Sequence, residues 1–122
     1  MRFGDTDALG HVNNASFAAY TELARLAFMR LLLGDTVRSL ILARLSIDYR
    51  RQVTWGESLH VDSWVEKTGR SSMTLGQAVY ADGKLAADVG SVVVYFDYAN
   101  GKPLALTPAM RQQLAPYSNE SA

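Results

Sequence analysis

The 122-residue sequence contains no cysteine, which excludes disulfides, thiolate metal sites and a cysteine nucleophile. Only two histidines are present, His11 and His60, too few and too far apart for a structural zinc site. Net charge is also missing, because twelve basic residues cancel twelve acidic ones and the pI lies near 6.7. Such a chain has no broad electrostatic grip on nucleic acid or membrane, although a local basic cluster for a phosphorylated ligand is compatible with it. The longest aliphatic stretch, Leu26 to Leu33, is interrupted by Arg30 and is far too short to span a bilayer. The start lacks the basic residues and apolar core of a signal peptide, and no internal repeat or linker is visible. A soluble intracellular protein is expected, most simply cytoplasmic. What the chain does have is 48% hydrophobic residues, enough for a real core in one domain spanning residues 1–122.

The most informative segment is Arg2-Phe3-Gly4-Asp5-Thr6-Asp7-Ala8-Leu9-Gly10-His11-Val12-Asn13-Asn14. Asp, Asn and Gly hydrogen-bond their own backbone or tolerate positive φ, so the run reads as a tight loop. A helix starting straight after it exposes unpaired N–H donors and the positive end of a dipole. A carboxylate beside such donors can attack, or activate water, while the donors hold a developing oxyanion. A generic Asx loop with an asparagine N-cap would use the same residues. A calcium loop would not: Asp5, Asp7 and Gly10 fit the first, third and sixth EF-hand places, but Leu9 and Ser16 fail the fifth and twelfth.

Beyond the loop, Phe17, Tyr20, Ala24, Ala27 and Leu31 follow helical spacing. Leu23, Leu26, Phe28 and Leu32 widen the stripe, so the helix is expected to be wrapped by other elements. Asn13 or Asn14 is the expected N-cap and Gly34 the stop. The period then changes to two. Ile41, Ala43, Leu45, Ile47 and Tyr49 alternate with Leu42, Arg44, Ser46, Asp48 and Arg50, as in a half-buried strand. A second strand runs from Leu59 to Glu66 and a third, after Thr68-Gly69, from about Ser71 to Ala81. Asp82-Gly83 signals a hairpin into a fourth strand through Asp97, whose Val92–Phe96 run is apolar on both faces. Thr107 to Leu114 suits a short closing helix. One long apolar helix and a mostly antiparallel sheet make an α+β arrangement, most economically a sheet curled around the helix. Its long edges favour edge-to-edge association, so a homodimer is expected.

With these residues in view, the chain resembles the hotdog-fold thioesterases, specifically the 4-hydroxybenzoyl-CoA thioesterase-like branch of acyl-CoA thioesterases. Phe3-Gly4-Asp5-Thr6-Asp7 with Gly10 matches that branch, His11-Val12-Asn13-Asn14 is a variant found in many of its members, and the central helix and meander extend the likeness over nearly the whole chain. The resemblance implies hydrolysis of an acyl-CoA thioester with no cofactor and no metal. It makes Asp7 the catalytic carboxylate and puts the backbone oxyanion donor near Asn14, with Gly10 and Asn13 beside it. It assigns the coenzyme A phosphates to the turn before the third strand, where Lys67, Arg70, Ser71 and Ser72 stand; alone, that turn is simply a solvated basic turn. His11 fits the histidine assigned in plant-type acyl-ACP thioesterases, but Leu9 occupies the place of their asparagine, which favours the acyl-CoA branch and leaves the role of His11 open. The resemblance also implies a dimer, or a tetramer of two dimers, with the site shared between subunits. Relatives carry more strand ahead of the motif, so the first strand here is either very short or incomplete.

The chemistry needs no triad. Coenzyme A leaves as a thiolate, and a thiol pKa of roughly 8.5 removes the need for a strong general acid. Asp7 serves either as nucleophile, through a mixed anhydride, or as base for a water. His60 reads as a surface or interface histidine, Asp5 as a loop acceptor, and Trp55 and Trp64 as pocket lining or interface. Two other readings remain: an acyl-CoA-binding module without hydrolysis, disfavoured by Asp7, and a hydratase or dehydratase, for which only Glu22 and His11 are available.

Overall fold

A computed structural model describes residues 14–54 and 56–118, with the backbone alone for residues 14–16. The opening motif from Arg2 to Asn13, including Asp7, Gly10, His11 and Asn13, lies outside the described residues, as does Trp55.

Helix α1 (Asn14–Leu33) ends where expected, at Gly34, whose φ of 59° suits a residue without a side chain. A 3-10 turn (Gly34–Ser39) leads into β1 (Leu40–Tyr49), followed by β2 (Leu59–Thr68), β3 (Ser72–Ala81) and β4 (Lys84–Asp97). Asp82 and Gly83 both have positive φ, 48° and 79°, the conformation a two-residue hairpin turn needs. After Asn100-Gly101 come a two-residue strand β5 (Lys102–Pro103), which the sequence pattern did not indicate, and the expected closing helix α2 (Pro108–Leu114). Thr107 caps α2 by accepting from Met110 N at 3.1 Å. The sheet is antiparallel in the order β1-β4-β3-β2, with β5 paired to the end of β4.

Two sequence expectations are corrected by the packing. The buried face of α1 is Phe17, Thr21, Arg25, Met29 and Leu32, a ladder built mainly of four-residue steps, rather than Phe17, Tyr20, Ala24, Ala27 and Leu31. Leu23, Leu26 and Leu31 remain exposed, so the described residues do not wrap the helix completely. In β1 a bulge between Leu42 and Arg44 interrupts the alternation. Leu42 therefore joins Leu45, Ile47 and Tyr49 on the inner face, while Ile41, paired with Val94, faces out with Arg44 and Ser46.

Two apolar clusters hold α1 against the sheet. One joins Met29, Leu32 and Leu33 to Val65, Met73, Leu75, Val93 and Leu106, closed by Met110 and Leu114 of α2. The other joins Phe17 to Val53, Val79, Ala81, Ala86, Ala87 and Val89. Burying a large aliphatic side chain is worth roughly 1.5–3 kcal/mol, so these clusters fix the position of α1 against the sheet.

Candidate active site

Helix α1 begins at Asn14, so its first-turn N–H groups have no acceptor within the helix and point back along its axis toward the preceding segment. Phe17 anchors this end. Its ring is buried and meets Tyr49, the last residue of β1, edge-on with centroids 5.4 Å apart. The start of α1 and the end of β1 are thereby fixed side by side. Burial raises the Tyr49 phenol above its ordinary pKa.

Lys67, Arg70, Ser71 and Ser72 occupy the β2–β3 connection. A bulge between Val65 and Lys67 puts Lys67 on the outer face, opposite Thr74, where it is exposed. Arg70 is exposed in the turn, and Ser71 and Ser72 are half-buried at the start of β3. The turn is well fixed: Gly69 N donates to Ser72 O at 2.8 Å, Tyr95 N to Ser71 O at 2.8 Å, and Leu106 N to Arg70 O at 2.8 Å. A Cβ on Gly69 would stand 2.8 Å from Ser72 Oγ, so a side chain there would make that hydroxyl turn away. The connection also has a cation that the sequence pattern did not single out. Arg111 of α2 donates to Thr68 Oγ1 at 3.1 Å and to Gly69 O at 2.8 Å, tying the closing helix to the turn. Its only signal was a basic residue in the closing helix, with nothing to indicate that the helix would return to residue 68.

The remaining candidates lie apart. His60 is exposed on the outer face with Nε2 2.6 Å from Asp62 Oδ1, as expected of a surface histidine. Trp64 covers Gly76 on that face and donates from its indole to Glu66 Oε1 at 2.6 Å. Glu22 is exposed and lines a cavity of about 190 Å³ between α1 and β1, with Arg25, Leu26, Met29, Val37, Leu42 and Val93 among its walls. Arg25 is buried at 7% exposure. Desolvation lowers its pKa, while the Glu22 charge works the other way. Among the described residues no group of three His, Cys, Asp or Glu side chains is placed to hold a metal ion, and no helix is long and apolar enough to cross a membrane.

A family model described as the thioesterase-like superfamily matches residues 1–114. The chain belongs to that superfamily. The match covers the opening motif, α1, the sheet and α2, and supports thioester hydrolysis as the general class of chemistry. Among solved structures, a thioesterase from Thermus thermophilus complexed with coenzyme A and zinc is 33% identical, with a TM-score of 0.89 over 100% of this chain and 92% of that one. A predicted thioesterase from Bacillus stearothermophilus is 26% identical, with a TM-score of 0.90 over 100% of this chain and 94% of that one. YneP, a candidate acyl-CoA thioesterase of Bacillus subtilis (strain 168), is 24% identical over 116 residues, 89% of this chain and 84% of the relative. The α+β hotdog fold read from the sequence is thus the fold of this chain, an antiparallel sheet packed on one long helix.

Proposed function

We propose that this chain hydrolyses an acyl-CoA thioester to a free carboxylic acid and coenzyme A, as a single hotdog unit acting in the cytoplasm. The observation that carries this reading is the likeness along its full length to a thioesterase solved with coenzyme A bound. The thioester carbonyl lies at the start of α1, where the backbone N–H near Asn14 polarises it, with Gly10 and Asn13 shaping the loop beside it. Asp7 either adds directly to the carbonyl carbon and expels coenzyme A as thiolate, giving an anhydride that water then opens to the acid and free Asp7, or takes a proton from a water that adds instead. In the second route the tetrahedral oxyanion is held by the helix N–H groups. The C–S bond then breaks, coenzyme A leaves as thiolate, and Asp7 passes the proton taken from water to that thiolate. Lys67, Arg70, Ser71 and Ser72 meet the coenzyme phosphates on the turn that Arg111 steadies.

The enzyme works as a homodimer, or as two such dimers paired. The outer edge of β1 has no neighbouring strand among the described residues. Leu42, Leu45 and Tyr49 on its inner face are 46%, 39% and 42% exposed, an apolar surface that a second copy would cover.

The deciding experiment is Asp7→Asn, assayed by thiol release from a panel of acyl-CoAs. Turnover should fall about 10²–10⁴-fold, the scale of a general base, while the melting temperature and acyl-CoA binding persist. A variant that melts like wild type and keeps more than about a tenth of kcat, against that same scale, refutes the assignment. Tight binding of acyl-CoA by wild type without thiol release makes the protein a binding module, and a changed acyl chain on an intact thioester makes it a hydratase.

A further inference from the structure

Four cations share one corner of the sheet, where the β2–β3 turn, the end of β4, strand β5 and helix α2 meet. The backbone knits these segments together: Tyr95 N donates to Ser71 O, Leu104 N to Tyr95 O and Leu106 N to Arg70 O, each at 2.8 Å. Arg70 and Phe96 are the residues just past the Tyr95–Ser71 bond on its two sides, so both stand at this corner. Lys67 reaches it from the end of β2, and Arg111 of α2 through its bonds to Thr68 and Gly69. Lys102 of β5 lies opposite Asp97. All four cations are exposed, and none has an ion pair among the described residues. The nearby carboxylates are held by neutral donors: Asp97 accepts from Ala99 N at 3.0 Å and Asn100 Nδ2 at 2.7 Å, and Glu66 from the Trp64 indole at 2.6 Å. The corner is net positive and suits an anion.

The same corner carries exposed aromatic surface. Val93 and Tyr95 of β4 pack on the α1 side, so Val92, Val94 and Phe96, which alternate with them, belong to the outer face. Ser72 is paired with Val94, and Lys67 with Thr74, on that face. Lys67 is therefore two strands from Phe96, about 10 Å at the usual strand spacing. Tyr98 meets the Phe96 ring edge-on with centroids 5.5 Å apart. It is 61% exposed, more than any other Tyr, Phe or Trp among the described residues. The hairpin beneath it is firm, because Gly101 N donates to Asp97 O at 2.8 Å and the Asp97 carboxylate ties down Ala99 and Asn100. A ring held in water on a fixed hairpin, beside unpaired cations, fits a ligand that is flat on its faces and anionic at its edge.

Building on the acyl-CoA reading above, we propose that Tyr98 and Phe96 form the platform on which the adenine ring of coenzyme A stacks. Its phosphates then meet Arg70 and Lys67 of the β2–β3 connection and Lys102 of β5. The platform reads the nucleotide half of the substrate and leaves the acyl half untouched.

The test uses coenzyme A and an abasic analogue that keeps every phosphate but lacks the adenine. Calorimetry measures the binding of both to wild type, Tyr98→Ala and Tyr98→Phe. Wild type should prefer coenzyme A about tenfold or more, the scale of one base–aromatic stack. In Tyr98→Ala that preference should collapse toward one through weaker binding of coenzyme A alone, whereas Tyr98→Phe keeps the ring face and the preference. In turnover of the two acyl thioesters the loss should fall on KM for acyl-CoA rather than on kcat. A ring that only packs the hairpin predicts a lower melting temperature for Tyr98→Ala and equal losses on both ligands. A wild type indifferent to the adenine, or a Tyr98→Ala protein that keeps the preference, overturns the platform even where acyl-CoA is hydrolysed. Coenzyme A binding that depends on Tyr98, with no thiol released from any acyl-CoA, keeps the platform and refutes hydrolysis. The comparison of the two ligands on wild type stands even if a variant does not fold.

Discussion

Strands β1 and β3 are each ten residues long and lie on either side of β4, yet they live in different solvents. In β3 only Ser72, Thr74 and Tyr80 are even partly exposed; in β1 no residue is buried. Both carry apolar residues in alternation, so composition does not separate them. Position does. β3 has strands on both sides and α1 above it, whereas β1 has β4 on one side and no strand on the other among the described residues. Alternation tells which residues share a face, but only the neighbours decide whether that face is a core.

The sharpest way to break this comparison is to shorten one leucine in each strand. Leu75 in β3 is 1% exposed and packed in the larger cluster, so Leu75→Ala should cost about 2–5 kcal/mol. Leu45 in β1 is 39% exposed, and within one chain Leu45→Ala should cost only a few tenths, roughly 0.5 kcal/mol or less. If a second copy covers β1, the Leu45→Ala penalty becomes larger and depends on protein concentration, because dissociation is then coupled to unfolding. Chemical denaturation at several protein concentrations reads both. A Leu45→Ala cost as large as that of Leu75→Ala and independent of dilution would mean that β1 is covered within its own chain.

Most of the architecture was legible because it rests on local rules. The periodicity change after Gly34, the Asp82-Gly83 turn and the Thr107 cap each have a physical signature a few residues long. What was not legible depends on residues far apart. The bulge between Leu42 and Arg44 re-faces part of β1 through its pairing with β4, and no pattern within β1 reveals it. The buried ladder of α1 takes in Thr21 and Arg25, and Gln77 of the sheet donates to the Thr21 carbonyl, which an apolar periodicity cannot anticipate. The basic turn at residues 67–72 was visible as a cluster, whereas its tie to Arg111, some forty residues on, was not. The motif around Asp7 carried the functional reading through resemblance, and it lies outside the described residues.

A smaller effect probes the other face of β3. Gly76 is buried beneath the Trp64 indole, and a Cβ there would overlap the ring. Gly76→Ala must therefore displace Trp64 and disturb its bond to Glu66, at an expected cost of about 1–3 kcal/mol. The melting temperature should fall and the tryptophan emission should shift as the indole moves toward water. An unchanged melt and spectrum would show that Trp64 swings aside freely, making the outer face of β3 as soft as the rim at β1.

The smallest effect lies where the exit of β1 is tied to the end of β3. Arg51 donates to Glu57 at 3.0 Å and also to the carbonyl of Ala81, while Glu57 accepts from Thr54 N at 2.8 Å. The Arg51 hydrogen bond is the main reason that Glu57 sits below the usual carboxylate range, with the Thr54 N–H adding to it. A carboxyl whose folded pKa is depressed stabilises the fold above its unfolded pKa, roughly 4.3, and loses that contribution as pH falls through the lower folded value. Asp97 behaves in the same direction through its bonds to Asn100 and Ala99, but it stands at the end of β4 against an exposed turn and serves as the comparison. The melting temperature of wild type should thus be flat from neutral pH to about 5 and decline below about 4, given those reference values. Glu57→Gln should melt below wild type at neutral pH by the equivalent of about 1 kcal/mol or less, and the gap should narrow as wild-type Glu57 protonates. Asp97→Asn should show a smaller gap that closes in the same window. A Glu57→Gln gap that stays constant down to the acid end would mean that the tie acts through shape and neutral hydrogen bonding, with the charge on Glu57 contributing nothing to holding β1 against β3.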